Sequence, residues 1–276
     1  MKKIKAVISG ADGTLVNTLY LIRHGQYEAA VEYMVERGIS RHDIPPYEDY
    51  ESFINKSVGG STRDTFEKTL QLLFGERHAE HLKVIDFDEL DRRLRPIQDR
   101  LAPLYVHPFY CLSEMLTWMG KDKLLLGIFT SASQHQTVRN FGTALPALGY
   151  AELFMNMRVG EEEKINAFKE RTKAVYGLDT LSIVTCDDVA ATKPDPEGVL
   201  RALEELGVAP DEAIVIGDLD VDIIAGKKAG VVTVGLAHGF GTPADLQAAG
   251  AVRVADNLSE LMGIIKDHNS GKEQLA

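Results

Sequence analysis

Cysteine is scarce in this sequence, and long hydrophobic runs are missing from it. The 276 residues include 2 cysteines, Cys111 and Cys186, which form no C-x-x-C pair. That spacing excludes a disulfide framework and a cysteine-rich metal site, and we predict that both thiols are small core residues. No stretch approaches the roughly 20 apolar residues that a membrane span needs. We therefore expect a cytoplasmic protein that does not cross a membrane.

Basic residues are few relative to acidic ones. The chain has 30 lysines and arginines against 41 aspartates and glutamates, which gives a formal net charge of −11. Because such a surface repels nucleic acids and anionic lipids, neither is an expected partner. A phosphorylated ligand would be repelled too, unless its site is locally positive or holds a metal ion. The composition is compatible with a monomer or a small homo-oligomer.

Local patterns divide the chain into a helical part and an alternating part. Ile4 to Ser9 is a short apolar run before turn residues, which predicts a buried strand. Residues 18–104 show helical periodicity throughout. The clearest apolar stripe there has spacings of three and four residues: Leu90, Leu94, Ile97 and Leu101. From residue 105 onward, strand and helix patterns alternate, which is typical of a parallel sheet covered by helices.

These patterns predict an α/β protein with a Rossmann-like, doubly wound parallel-sheet core. Residues 1–17 and 105–276 would form that core, and residues 18–104 would form an inserted α-helical domain. Within the core we expect strands at 124–129, 152–157, 181–185, 213–216 and 231–234. Helices are expected at 109–119, 133–141, 165–176, 197–206, 221–229 and 258–265. We also expect Trp118 in the core and a frayed polar tail from Asn269.

Residues that follow the predicted strands are candidates for a functional site, because doubly wound sheets bind ligands beyond the carboxyl ends of their strands. Asp12 and Thr130 follow early strands, Asp218 and Asp222 follow a later one, and Lys193 precedes a helix. Each is ordinary alone, as a turn residue, a helix cap, an acidic helix start or a surface lysine. Together, a hydroxyl, an ammonium and carboxylates can hold a Mg²⁺ ion and a phosphoryl group.

The order and spacing of these residues resemble the motifs of the haloacid dehalogenase superfamily. In that family the four successive loops read D-x-D-G-T, then Thr or Ser, then Lys, then G-D-x-x-x-D. The matching residues here are Asp12, Thr14, Thr130, Lys193, Gly217, Asp218 and Asp222. The helical insert between the first two motifs resembles the C1 cap of phosphoglycolate phosphatase-like and phosphoglucomutase-like members. The resemblance implies a small phosphorylated metabolite as the substrate and Mg²⁺ as the cofactor.

The resemblance also implies a role for each matching side chain. Thr130, with Ser131 beside it, would hydrogen-bond the phosphoryl group, and Lys193 would stabilise the negative charge. The Asp12 side chain would protonate the leaving oxygen and then activate water. The predicted Mg²⁺ ligands are Asp218, Asp222 and the backbone carbonyl of Asp12.

One position departs from the family pattern. The first Asp of D-x-D-G-T is the family's nucleophile and a metal ligand, and Gly10 occupies that position here. Ser9 would not replace it, because adjacent strand residues point to opposite faces. Loss of a covalent nucleophile costs on the order of 10⁴ to 10⁶ in turnover, so we expect activity to be lost or strongly impaired. A natural pseudophosphatase, a chain altered to trap ligand and an unusual loop register all remain open.

Two other segments suggest function. Residues 21–26 read L-I-R-H-G-Q, which resembles the histidine phosphatase signature, with His238 as a second histidine. That signature ends a strand, whereas His24 lies in a helical pattern, so we interpret it as a residue of the inserted domain. Residues 58–63 predict either a plain loop with a helix cap or a loop that folds over the substrate. In the second case, Lys56 or Arg63 would bind the charge of the substrate.

Overall fold

The computed structural model describes residues 2–54, 62–74, 85–149 and 160–275 of the chain. Its strands are β1 (Ala6–Ser9), β2 (Val16–Asn17), β3 (His107–Pro108), β4 (Leu125–Phe129), β5 (Leu181–Val184), β6 (Ala213–Gly217), β7 (Val232–Leu236) and β8 (Arg253–Ala255). Its α-helices are α1 (Leu19–Glu36), α2 (Tyr47–Ile54), α3 (Thr62–Phe74), α4 (Phe87–Tyr105), α5 (Leu112–Asp122), α6 (Gln134–Ala144), α7 (Glu161–Tyr176), α8 (Glu197–Leu206), α9 (Asp220–Lys228), α10 (Pro243–Ala249) and α11 (Leu258–Asn269).

Six parallel strands form the main sheet, in the order β5-β4-β1-β6-β7-β8. The chain adds strands on one side of β1 first and then on the other side. Strand β1 pairs with β4 and with β6, so that Ser9 lies opposite both Ile128 and Ile216. The crossover connections therefore reverse direction beside β1, which is where doubly wound sheets bind ligands. The predicted fold class is confirmed.

Alternate residues of the central strands build one face of the core. Ala6 and Ile8 of β1 and Val215 of β6 lie in one apolar cluster with Val199 and Leu203 of α8. Side chains two residues apart share a face of a strand, and this spacing directs the whole set against the helix. Burying each large aliphatic side chain contributes roughly 1.5–3 kcal/mol. The central strands that lead to the candidate site therefore pack against a buried apolar layer.

The chain divides into two compact units, Met1–Asn17 with His107–Ala276, and Thr18–Val106. In the first unit, β2 and β3 form a short antiparallel ladder at the points where the chain leaves and returns. The second unit consists of α1 to α4 among the described residues, with α1 packed on α4. The predicted stripe on α4 is buried, with exposed fractions of 7% or less: Leu90, Leu94, Ile97 and Leu101.

The predicted elements of the sheet unit agree with the structure to within four residues at either end. The predicted strand at 152–157 lies outside the described residues. Helix α7 begins at Glu161, four residues earlier than predicted, because the acidic residues 161–163 form its first turn, where carboxylates favour the helix dipole. Sequence patterns missed α10 and β8, since both are short. No helix among the described residues is long and apolar enough to cross a bilayer.

Several burial predictions were wrong. Trp118 is half-buried rather than in the core, because its indole Nε1 donates to Asp122 on the exposed side of α5. Cys111 and Cys186 are also only partly buried. The C-terminal tail is anchored at both ends, at Asn269 and Leu275, although residues 270–274 are exposed. The Asn269 side chain exchanges hydrogen bonds with the backbone of Ile4, and Leu275 is 3% exposed.

Candidate active site

The carboxyl ends of β1, β4 and β6 bring the first, second and fourth sequence motifs to one edge of the sheet. Gly10 follows β1, Thr130 follows β4, and Asp218 follows β6. The Gly10 amide donates to the Ile216 carbonyl at 3.0 Å, so β1 and β6 remain paired up to the start of the loops. This pairing fixes the distance between the first loop and the acidic fourth loop.

A tight turn folds the first loop back over the strand end. The Ala11 carbonyl accepts hydrogen bonds from the amides of Thr14, Leu15 and Val16. Gly13 has φ +79°, and a Cβ at this position would lie 2.3 Å from a carboxylate oxygen of Asp218. The turn therefore needs glycine for its left-handed backbone and for the close approach of that carboxylate.

Replacing Gly13 by alanine tests that requirement. Left-handed backbone costs a residue with a Cβ about 1–2 kcal/mol, and the contact with Asp218 adds to it. The backbone cost is common to Gly13→Ala and Gly177→Ala, so the crowding decides the difference. We expect Gly13→Ala to lower the free energy of unfolding by about 1–3 kcal/mol more than Gly177→Ala, measured by urea denaturation. Gly177 is a matched control, since its φ is +72° and nothing lies within 4 Å of its Cβ position. Equal losses in the two variants would contradict the predicted crowding.

Asp218 is almost completely buried, with an exposed fraction of 1%. The Thr14 hydroxyl donates to its Oδ1 at 2.6 Å, and the Phe240 amide donates to its Oδ2 at 2.8 Å. Burial, and then the neighbouring charge of Asp222, raise the pKa of Asp218 to about 7, although its hydrogen bonds and Lys193 oppose the shift. Two carboxylates this close in a buried place disfavour each other's charge.

Asp222 and Lys193 form an ion pair beside Asp218. The Lys193 Nζ lies 2.6 Å from Asp222 Oδ1, and the side chains are 12% and 2% exposed. The other oxygen of Asp222 accepts from the Leu219 amide at 3.1 Å. The Lys193 Nζ also lies 4.4 Å from the centroid of the Phe129 ring. Lys193 is thus a largely buried cation of the site, not the surface lysine that its sequence alone also allowed.

Asp218 should make the protein less stable as the pH rises. Below pH 3.8 the carboxyl is protonated in both folded and unfolded chains; from there to about pH 7 only the unfolded chain loses the proton. The unfolded chain binds fewer protons in that window, so the free energy of unfolding falls, by up to about 4 kcal/mol.

Urea unfolding with a metal chelator present, at pH 4.5 and pH 8, measures this loss. We expect the unfolding free energy of Asp218→Asn, relative to that of the unsubstituted chain, to be higher at pH 8 than at pH 4.5. A stability difference that does not change with pH would contradict the raised pKa.

A loop after β7 closes over Asp218, and the sequence motifs did not identify it. Besides the Phe240 contact, the Gly241 amide donates to the Asp218 carbonyl at 3.0 Å. The His238 ring lies 3.9 Å from the Phe109 ring, and its Nε2 is 2.9 Å from the Thr14 carbonyl. Because a carbonyl only accepts, this nitrogen carries the proton; burial lowers the pKa of His238. The sequence feature that could have identified this loop is the pair of closely spaced glycines, Gly239 and Gly241, after the predicted strand at 231–234.

The side-chain position of residue 10 faces the middle of this cluster. A Cβ on Gly10 would lie 2.6 Å from the Thr14 hydroxyl oxygen and 3.4 Å from Asp222 Oδ1. Ser9 is completely buried, and its hydroxyl donates to the Gly10 carbonyl at 2.7 Å. The hydroxyl proton of Ser9 is therefore used in a hydrogen bond to the backbone. A side chain at position 10, where the sequence pattern predicts the nucleophile, would therefore project toward Thr14 and Asp222.

The second and third motifs meet at a small cavity. Its lining includes Phe129, Thr130, Thr185 and Lys193. The Thr130 hydroxyl oxygen accepts from the Ala132 amide at 3.1 Å, so the hydroxyl proton can point toward a ligand. Ser131 is half-buried beside Thr130. The arrangement offers a hydroxyl donor and an ammonium to the same small anion.

The structure describes contacts of three further residues that the sequence singled out. The Asp12 carboxylate accepts a hydrogen bond of 2.7 Å from the Asn140 side chain, a partner that no motif indicated. Arg63 is exposed and pairs with Asp88 at 2.7 Å, and Lys56 lies outside the described residues. His24 lies within α1, with its ring 3.6 Å from that of Tyr20. It therefore does not end a strand, as the histidine phosphatase signature would require.

A magnesium ion fits the donors of this site, although they are few. Among the described residues, no cluster of three or more His, Cys, Asp or Glu is arranged to hold a metal. Mg²⁺ is commonly bound by one or two carboxylates, with water and phosphate oxygens completing its shell. Asp218 and Asp222 provide such a pair. Burial, and then the charge of Asp222, raise the pKa of Asp218, and a bound cation would offset both effects.

Comparisons with known proteins identify similar sequences. The profile of the family described as haloacid dehalogenase-like hydrolase matches residues 163–236, which include the third and fourth motifs but not Gly10. A pyrophosphatase PpaX of Listeria welshimeri is 25% identical over 272 residues, covering 96% of this chain and 98% of that protein.

Solved structures show the same fold. A Haemophilus somnus protein, assigned by prediction as a phosphoglycolate phosphatase, has a TM-score of 0.68 at 16% identity, covering 96% of this chain and 99% of the other. A Thermotoga maritima protein, similarly assigned as a β-phosphoglucomutase, has a TM-score of 0.63 at 22% identity, with coverages of 96% and 99%. The resemblance inferred from the motifs is confirmed: this chain is similar to the haloacid dehalogenase-like hydrolases over nearly its whole length.

Proposed function

We propose that this protein is a haloacid dehalogenase-like phosphohydrolase of small phosphorylated compounds, strongly impaired as its sequence stands. The observation that carries the proposal is the cluster around position 10. Thr14 contacts Asp218 and Lys193 contacts Asp222, each at 2.6 Å, and the side-chain position of Gly10 lies between Thr14 and Asp222. The family's phosphate-binding residues are therefore present, and its attacking carboxylate is absent.

The side chains of the site suit a phosphoryl group. Lys193 would neutralise part of its charge, and the Thr130 hydroxyl would donate to one of its oxygens. A Mg²⁺ ion held by Asp218, Asp222 and the Asp12 carbonyl would neutralise further charge. Asp12 would transfer the proton to the leaving oxygen. Relatives named pyrophosphatase support inorganic pyrophosphate as a member of the substrate class. The inserted helical domain would select the leaving group.

A paired activity screen tests the proposal. The chain and its Gly10→Asp variant are assayed with Mg²⁺ on pyrophosphate, p-nitrophenyl phosphate and small phosphate monoesters. We expect turnover near background for the chain and clear turnover for the variant. Strong Mg²⁺-dependent turnover by the chain itself would overturn the proposed impairment.

The second candidate function is a non-catalytic phosphate-ligand-binding or regulatory protein. The observation that favours it is the position of the Thr14 hydroxyl, which bonds Asp218 and lies 2.6 Å from where a Cβ of residue 10 would be. The site as folded therefore suits a glycine at position 10 better than an aspartate. Silence of both proteins in the screen, together with measurable binding of phosphate or pyrophosphate by calorimetry, would favour this candidate. The cytoplasmic location and the monomeric or small homo-oligomeric state remain predictions.

A further inference from the structure

Helix α6 carries two consecutive polar side chains that are almost completely buried. Arg139 is 2% exposed and Asn140 is 3% exposed. Arginine is rarely buried to this extent without partners, and the sequence around these residues matches none of the motifs that identified the site. We therefore expect both side chains to bind polar partners in the interior of this unit.

These side chains form a directed series of hydrogen bonds that ends on Asp12. The Arg139 Nε donates to Asn140 Oδ1 at 3.0 Å, and Asn140 Nδ2 donates to Asp12 Oδ1 at 2.7 Å. An amide can be turned either way, but arginine only donates. The Asn140 oxygen must face Arg139, which leaves its NH₂ group directed at the carboxylate.

We propose that Asn140 is a positioning residue for Asp12 and that Arg139 fixes the orientation of the Asn140 amide. The inference rests on the proposed function, in which Asp12 transfers protons. A carboxylate on a turn can rotate about its side-chain bonds, and an error of about 1 Å in a reacting group can cost on the order of a hundredfold in rate. A donor on a buried helix holds one carboxylate oxygen in a defined place.

The kinetic test uses the Gly10→Asp background. Asn140→Asp keeps the shape of the side chain and removes the donor, so we expect kcat to fall on the order of tenfold to a hundredfold while KM changes less than about twofold. Asn140→Gln keeps an amide donor and should recover part of kcat. Thr137→Val is the control, because it removes a buried polar group from the same helix, where the Thr137 hydroxyl donates only to the Ser133 carbonyl. An unchanged kcat in Asn140→Asp would overturn the inference.

A nuclear magnetic resonance measurement decides the contact independently of turnover. The side-chain amide signals of Asn140, assigned by their loss in Asn140→Asp, are recorded in the unsubstituted chain and in Asp12→Ala. Loss of the charged acceptor should move the bonded amide proton upfield, and Thr137→Val should not. If the signals do not respond to Asp12→Ala, Asn140 does not hold Asp12. If Gly10→Asp lacks activity but the signals respond, the proposed function fails while the contact stands.

Discussion

Gly10→Asp should raise Mg²⁺-dependent phosphatase turnover by about 10⁴-fold or more over that of the chain. The substitution supplies the attacking carboxylate at a position whose side chain would project between Thr14 and Asp222. The Thr130 hydroxyl and the Lys193 ammonium, which are proposed to bind the phosphoryl group, already line one cavity. Initial rates on pyrophosphate and p-nitrophenyl phosphate, with and without a chelator, measure the gain.

The new side chain requires one local adjustment. Its Cβ would lie 2.6 Å from the Thr14 hydroxyl oxygen, so Thr14 must rotate and release its bond to Asp218. Because that oxygen is the end of a short rotatable side chain, the adjustment should cost far less than the nucleophile contributes. Gly10→Asn is the matched control, since it has nearly the same shape and makes the same contact. It cannot form an acyl phosphate.

Comparable turnover in Gly10→Asp and Gly10→Asn would contradict a nucleophilic role for position 10. Turnover in neither, with both proteins folded, would contradict the phosphohydrolase proposal and favour the binding protein. Mass spectrometry of Gly10→Asp after brief exposure to substrate provides a second measurement. A phosphoryl adduct on residue 10 is expected only in the aspartate variant.

Lys193→Met is expected to lower the free energy of unfolding by about 3 kcal/mol, because it leaves the Asp222 carboxylate without its cation. Lys193 and Asp222 are 12% and 2% exposed, so little water can compensate for the lost charge. The Leu219 amide, which bonds the other Asp222 oxygen, partly limits the loss. Chemical denaturation at pH 7 in the presence of a chelator measures it.

Two further variants test whether the loss of stability in Lys193→Met comes from the unpaired charge of Asp222. Lys193→Met combined with Asp222→Asn removes the uncompensated charge and should recover most of the lost stability. Lys123→Met breaks the exposed pair with Asp179, in which the side chains are 67% and 55% exposed, and should cost less than about 1 kcal/mol. If Lys193→Met costs no more than Lys123→Met, the buried ion pair does not contribute as proposed. The same Lys193 variant should also lose phosphate affinity.

Local sequence patterns were sufficient to predict most of the sheet unit. Helix α8 was predicted without error at Glu197–Leu206, and β4, β5 and β6 agree closely with the structure. Apolar runs closed by turn residues and apolar stripes at helical spacing are short-range signals, which a single chain contains completely. The burial of Trp118 was predicted wrongly, because an apolar residue type alone does not indicate which face of a helix packs against the core.

The sequence alone determined the fold class, and it predicted the residue types of the candidate site and a glycine at position 10 in place of a carboxylate. Only the tertiary structure decided which side chains contact one another. Lys193 pairs with Asp222, 29 positions away, and Asn140 reaches Asp12 across 128 positions. Such contacts depend on the order of parallel strands and on how the strand-end loops turn, neither of which is encoded in neighbouring residues. For the same reason the loop at His238 to Gly241 became part of the site only when folding placed it over Asp218.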